Sequence, residues 1–222
     1  MNLASYLDST NLRPEATEND IYLLCKEAAR DHVAAVCIQT CRLPQARKIL
    51  SGSGVNLGTV IGFPLGAELP GLKKYAAEMA LEEGANEIDM VVNLGWVKDR
   101  NYAAVQKEVR DVLSLKQQAP FLFKLIVETA QLTKEELIYL IRMLSDTEAD
   151  FIKTSTGFST RGASLEDLQI INAHKAKHLK IKASGGIKEL GFALELISAG
   201  ANRLGSSNAS KLLEDFQVQG GQ

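Results

Sequence analysis

The sequence predicts an α/β fold built as a single (β/α)8 TIM barrel, with residues 1–222 as one domain, and three observations lead there. Short strand-like runs alternate with amphipathic helical segments from end to end. Eight such units divide 222 residues into repeats of about 28, the lean end of this architecture. The third observation is parity, which separates a closed barrel from an open doubly wound sheet. In Glu87-Ile-Asp-Met-Val-Val-Asn93, Glu87, Asp89, Val91 and Asn93 share one face and Ile88, Met90 and Val92 the other. Lys153 opposes Ile152 and Thr154, and Lys182 opposes Ile181 and Ala183. If the apolar faces pack against helices, Asp89, Lys153 and Lys182 converge on a common interior, near the strand ends where barrel active sites lie.

Taken in order, a first strand is expected near residues 4–7, followed by a helix over 20–30. Strands over 34–39 and 57–62 come next, then a helix over 73–83 closed by Gly84. The strand over 87–93 leads into a helix over 102–116, and the strand over 121–127 into a helix over 134–144. Thr133 precedes that last helix and Ser164 precedes Leu165-Glu-Asp167, both as N-caps. Strands over 151–154 and 180–183, a helix over 189–199 closed by Gly200, and a strand over 203–205 complete the set. A short helix opens after Gly205-Ser-Ser-Asn208, and the stretch 217–222, with Gly220-Gly221, is expected to fray.

The totals narrow the function. With 25 basic and 27 acidic side chains the net charge is −2, so no global field favours nucleic acid or an anionic membrane, and any anion must be bound locally. The longest apolar runs are far shorter than a membrane span, and the N-terminus lacks the pattern of a signal peptide, which makes a cytoplasmic protein the expectation. Cys25, Cys37 and Cys41 are an odd set without zinc-like spacing, and read as structural thiols.

Chemistry is carried by two lysines on separate buried strands. Burial disfavours an ammonium and a second ammonium disfavours it further, so Lys153 and Lys182 together favour a neutral, nucleophilic amine near pH 7. Read without other context, each could instead pair with an interior acid such as Asp89, Glu87 or Glu128. Lys124 and Glu128 share a face of their strand and read as a supporting pair lining the pocket. Phosphate recognition is expected from backbone amides where Ser184-Gly-Gly-Ile187 and Gly205-Ser-Ser-Asn208 end strands and open helices.

Five motifs, Glu87-Ile-Asp-Met-Val-Val-Asn93, Phe151-Ile-Lys-Thr-Ser-Thr-Gly-Phe158, Lys182-Ala-Ser-Gly-Gly-Ile187, Gly62-Phe-Pro-Leu-Gly66 and Lys124-Leu-Ile-Val-Glu-Thr129, together resemble the deoxyribose-phosphate aldolase family. The resemblance runs from about Leu7 to about Asn208 in the order and spacing of the family. It implies a class I aldolase that reversibly cleaves 2-deoxy-D-ribose 5-phosphate to D-glyceraldehyde 3-phosphate and acetaldehyde, with no metal and no organic cofactor. It further implies Lys153 as the Schiff-base lysine, Lys182 as its pKa-lowering neighbour and Asp89 as the proton-relay carboxylate. Gly157, Gly185, Gly186, Gly205, Ser207 and Asn208 match substrate- and phosphate-binding positions. Asp8, in Leu7-Asp-Ser-Thr-Asn-Leu12, is a candidate to contact substrate or orient the lysines, with a turn cap as the equal alternative. Cys37 matches a pocket-facing position but reads as a buried thiol.

Two departures from the family pattern stand out. Asn208 replaces a serine after the last strand, and Arg161 occupies a loop position where glycine is usual, which suggests a compensating contact with phosphate. The competing readings are another phosphosugar barrel, such as an isomerase, an epimerase or an aldolase of different specificity, and a non-catalytic phosphosugar-binding barrel. Self-association as a homodimer or higher homo-oligomer is expected of such a barrel.

Overall fold

Eight parallel strands close on themselves in sequence order in the computed structural model, which describes residues 1–220. The strands are β1 (Leu7–Asn11), β2 (Ala35–Ile38), β3 (Asn56–Ile61), β4 (Glu87–Val91), β5 (Leu122–Ile126), β6 (Phe151–Lys153), β7 (Lys180–Ser184) and β8 (Arg203–Ser206). Closure is made by β1 against β8, with Asp8 opposite Gly205 and Ser9 opposite Ser206. Register also places Asp89 opposite Lys124, and Lys153 opposite Lys182, which in turn lies opposite Arg203. The helices are α1 (Glu18–Asp31), α2 (Leu43–Leu50), α3 (Pro70–Glu82), α4 (Leu94–Lys98), α5 (Tyr102–Leu113), α6 (Lys134–Ser145), α7 (Leu165–His174), α8 (Leu190–Ser198) and α9 (Ala209–Val218).

Sequence parity and structure agree over most of the barrel. Ile88, Met90, Ile152, Ile181 and Ala183 are fully buried in the layer between strands and helices, while their neighbours Glu87, Asp89, Lys153 and Lys182 are buried in the lumen with one another's charges. Thr133 and Ser164 cap α6 and α7 as expected, and Thr133 with Glu136 forms a complete capping box.

Three element expectations are corrected. The first strand lies at Leu7–Asn11, because Leu3–Tyr6 winds into a 3-10 turn whose last bond runs from the Leu7 amide to the Ala4 carbonyl. The helix expected to reach residue 116 ends at Leu113 and continues as a 3-10 turn, Ser114–Gln117. Gln217 and Val218, expected to fray, belong to α9, while Gly221 and Gln222 lie outside the described residues.

One ion pair outside the lumen fixes the end of β4. Lys73 on α3 and Glu108 on α5, both fully buried, meet at 2.8 Å. Lys73 also donates to the Val91 carbonyl at 2.9 Å, and Glu108 accepts from the Asn93 amide at 2.8 Å. Burial pushes the Glu108 carboxyl above its ordinary value even with Lys73 beside it. Removing one partner strands the other's charge, so Glu108→Ala is expected to cost about 3–5 kcal/mol in urea unfolding. Lys73→Met/Glu108→Leu should cost clearly less than the two single changes together.

Candidate active site

The lumen is built around one carboxylate. Asp89, fully buried on β4, accepts from Lys124 through Oδ1 at 2.7 Å, and from Lys153 and Lys182 through Oδ2 at 2.8 Å each. Because the last two amines share a single oxygen, their nitrogens are separated by no more than twice that distance. Beneath them lies a second tier. Lys182 meets Asp8 at 2.5 Å, Lys124 meets Glu87 at 2.6 Å, and Arg203 bridges Asp8 and Glu87 from β8. Cys37 faces the same point from β2, its Sγ 3.9 Å from Asp89 Oδ2.

These contacts fix charges that burial alone would remove. For Asp89, desolvation acts to raise the pKa, but Lys124, Lys153 and Lys182 overcome it and hold the carboxyl well below the usual aspartate range. Asp8 is held down in the same way, chiefly by Lys182 and Arg203 against desolvation. Desolvation opposes the charged form of Lys182, yet Asp8 and Asp89 outweigh it and push the amine well above the ordinary lysine value. Lys124 moves in the same direction through Asp89 and Glu87. Lys182 is therefore a fixed cation. Burial, with the Asp89 charge, raises the Cys37 thiol, which agrees with its reading as an inert buried group.

Above this network lies a cavity of about 490 Å³ at the C-terminal mouth of the barrel. Lys153, Gly157, Gly185, Gly186, Gly205 and Ser207 line it, together with the end of β1 from Thr10 to Arg13. Asp8, Glu87, Asp89, Lys124, Lys182 and Arg203 do not; Lys153 is the one member of the charged network that reaches the cavity. The loops after β6 and β7 come together on bare backbone. A Cβ on Gly162 would meet the Gly185 carbonyl oxygen at 2.0 Å, and Gly185, at a φ of +83°, has Gly162 Cα 2.9 Å from where its own Cβ would stand.

Several expected roles are revised by this geometry. Glu128 does not pair with Lys124. β5 ends at Ile126, and Glu128 turns into the left-handed region at a φ of 54°, where its carboxylate takes the amide and hydroxyl of Thr156. Arg161 makes no cavity contact, because its guanidinium is held by Asp167 at 2.5 Å and 3.0 Å and lies against Thr129. Asn208 does not line the cavity: it sits at the N-cap of α9, its amide N–H donates to Ser206 Oγ at 3.0 Å, and its side chain accepts from Ser207. Asp8 is not a turn cap; it orients Lys182 and Arg203 from within β1. Arg203 carried no assigned role, although it heads a strand whose alternate residue is Gly205, and Glu87, a candidate acid for Lys153 or Lys182, pairs instead with Lys124 and Arg203. Arg13 and Lys188, two cations at the cavity wall, were also missed.

The sequence matches the model of the DeoC/LacD family aldolases over residues 4–217. The chain belongs to the DeoC/LacD aldolase family. A deoxyribose-phosphate aldolase of Desulfitobacterium hafniense is 43% identical over 213 residues, which cover 96% of this chain and 98% of that relative. One from Thermococcus kodakarensis is 41% identical over 96% of each chain. Among solved structures, a deoxyribose phosphate aldolase of Aeropyrum pernix, described as having a unique tetrameric structure, superposes with a TM-score of 0.90 at 32% identity, covering 98% of this chain and 92% of that one. An aldolase called QR15 superposes with a TM-score of 0.93 at 34% identity over 99% and 98% of the two chains.

The network carries a pH signature. Asp8 and Asp89 are lowered in the folded state, so their stabilisation is fully present above the unfolded aspartate value of 3.8 and is lost as pH falls below it through the folded values. Lys182 and Lys124 are raised, so their share is present below 10.5 and lost only as pH rises beyond it through their folded values. Melting temperatures should therefore hold from pH 9 to about pH 5 and drop steeply below about pH 4. Asp8→Asn should flatten that acid limb and lower the plateau.

Proposed function

We propose that the chain is a class I aldolase that reversibly cleaves 2-deoxy-D-ribose 5-phosphate to D-glyceraldehyde 3-phosphate and acetaldehyde through a Schiff base on Lys153. The observation that carries this reading is that Lys153 alone, among the buried charged groups, reaches from Asp89 into the cavity. The unprotonated amine adds to the C1 aldehyde of the open-chain sugar, and loss of water gives a C1 iminium adjacent to C2. As the C3 hydroxyl gives up its proton, the C2–C3 bond breaks, its electrons pass into the iminium, and glyceraldehyde 3-phosphate departs. The remaining enamine is protonated at C2, and water releases acetaldehyde and the free amine.

The proton relay is assigned to Asp89, whose Oδ2 lies 2.8 Å from Lys153 Nζ; because Asp89 does not line the cavity, it acts on the C2 and C3 protons through water. Lys182, fixed as a cation, stabilises that carboxylate. The phosphate is assigned to the glycine-lined end of the cavity, where Gly185, Gly186, Gly205 and Ser207 present backbone around the loops after β7 and β8. Lys188 and Arg13 add positive charge at its wall.

A cytoplasmic location and self-association belong to the same proposal. Among the described residues no helix is long and apolar enough to cross a membrane. The tetrameric relative and the exposed apolar side chains Leu65, Leu69, Leu72 and Tyr75 support an assembly of like chains.

Retro-aldol turnover, measured by coupling glyceraldehyde 3-phosphate formation to its reduction, tests the assignment. Lys153→Ala should abolish turnover while the melting transition survives, and Asp89→Asn should lower kcat by about 10²- to 10⁴-fold. Near-native turnover in Lys153→Ala contradicts the mechanism. For the phosphate end, Ser207→Glu should cut the preference for the phosphorylated sugar over free 2-deoxyribose by about tenfold or more, since it sets a carboxylate against the dianion. An unchanged preference would place the phosphate elsewhere.

A further inference from the structure

We infer that Glu87 and Arg203, a tier below the reacting groups and outside the cavity, are positioning residues that set the charge balance of the lumen and so the pH at which Lys153 becomes nucleophilic. The inference rests on the assignment of Lys153 above and extends it to residues with no substrate contact.

The titratable and charged groups that face Lys153 across the lumen can be named strand by strand. They are Asp8 on β1, Cys37 on β2, Glu87 and Asp89 on β4, Lys124 on β5, Lys182 on β7 and Arg203 on β8. The inward residues of β3 are the uncharged Gly58 and Val60, opposite Glu87 and Asp89. Cys37 stays a thiol, since burial raises it. Three carboxylates, Asp8, Glu87 and Asp89, then face three cations, Lys124, Lys182 and Arg203, and each of these six touches at least two partners of opposite sign. This buried set is neutral without Lys153; the cations Arg13 and Lys188 also line the cavity, but stand exposed to solvent at its wall, where their charge is screened.

An ammonium at Lys153 adds one positive charge to a buried set that is otherwise balanced, and its carboxylate partner, Asp89, is already shared with two other cations. Glu87 and Arg203 complete that neutrality. Arg203 takes Asp8 and both oxygens of Glu87, so deleting one member leaves the lumen one unit off balance while Asp89 keeps its three amines. Removing the Glu87 charge makes the lumen more positive and favours the neutral amine at lower pH. Removing the Arg203 charge does the reverse.

The acidic limb of the pH profile of kcat/KM, which reports on the free enzyme, measures the effect in the intact protein. Glu87→Gln, which keeps an acceptor for Lys124, should move its midpoint down by about one pH unit, and Arg203→Met should move it up by about as much. Arg203→Lys, which keeps the charge, and Glu87→Gln/Arg203→Met, which restores neutrality, should return it to the parent value. The two single charge deletions are predicted to move the midpoint in opposite directions, so either one that folds decides the test. Midpoints that stay fixed in the single variants, or move with Arg203→Lys as far as with Arg203→Met, overturn the charge-balance role and leave the Lys153 assignment standing. A parent enzyme whose turnover does not depend on Lys153 removes the assignment itself, and this inference with it.

Discussion

Asp89 holds three lysines, and the organisation of the lumen follows from that one constraint. A single buried carboxylate cannot neutralise three ammonium groups, so two of them take further acids: Lys124 takes Glu87 and Lys182 takes Asp8. Those acids in turn need Arg203. Among the described residues Lys153 has no second acid. The barrel thus sorts three chemically identical side chains by the number of anions each one touches, and the least compensated is the one that opens on the cavity. A buried ionic network adds little net stability, because its Coulombic gain is set against desolvation. Its use here is to make one amine different from its neighbours.

Much of this was legible in the sequence because parity in a strand is a rigid rule. Asp89, Lys153 and Lys182 each alternate with apolar residues that require the helix-facing side, so their convergence follows once the sheet closes. The loops that line the cavity after β7 and β8 were legible for a similar reason: Gly185-Gly186 and Gly205, at the ends of strands, let backbone approach closely. The motifs then specified which barrel chemistry the convergence serves, and the family match agrees with them.

What was not legible depends on closure or on local backbone. Arg203 meets Asp8 across 195 residues of chain, and nothing local to either announces that pair. Glu128 was given the wrong partner because the parity count was carried past Ile126, where the strand ends and the backbone turns left-handed. The first strand was displaced toward the N-terminus because Leu7–Asn11 is rich in polar residues, two of which, Asp8 and Thr10, serve the lumen and the cavity. Arg161 looked free for phosphate only because its partner, Asp167, lies in the first turn of the following helix.

The central claim is that the network singles out one amine. Incubation with acetaldehyde and sodium borohydride, followed by peptide mapping in a mass spectrometer, tests it most directly. The account predicts one reduced ethyl group, on the peptide carrying Lys153, with Lys124 and Lys182 unmodified in the folded protein. An adduct on Lys124 or Lys182 at a comparable rate, or none at any of the three, would contradict it.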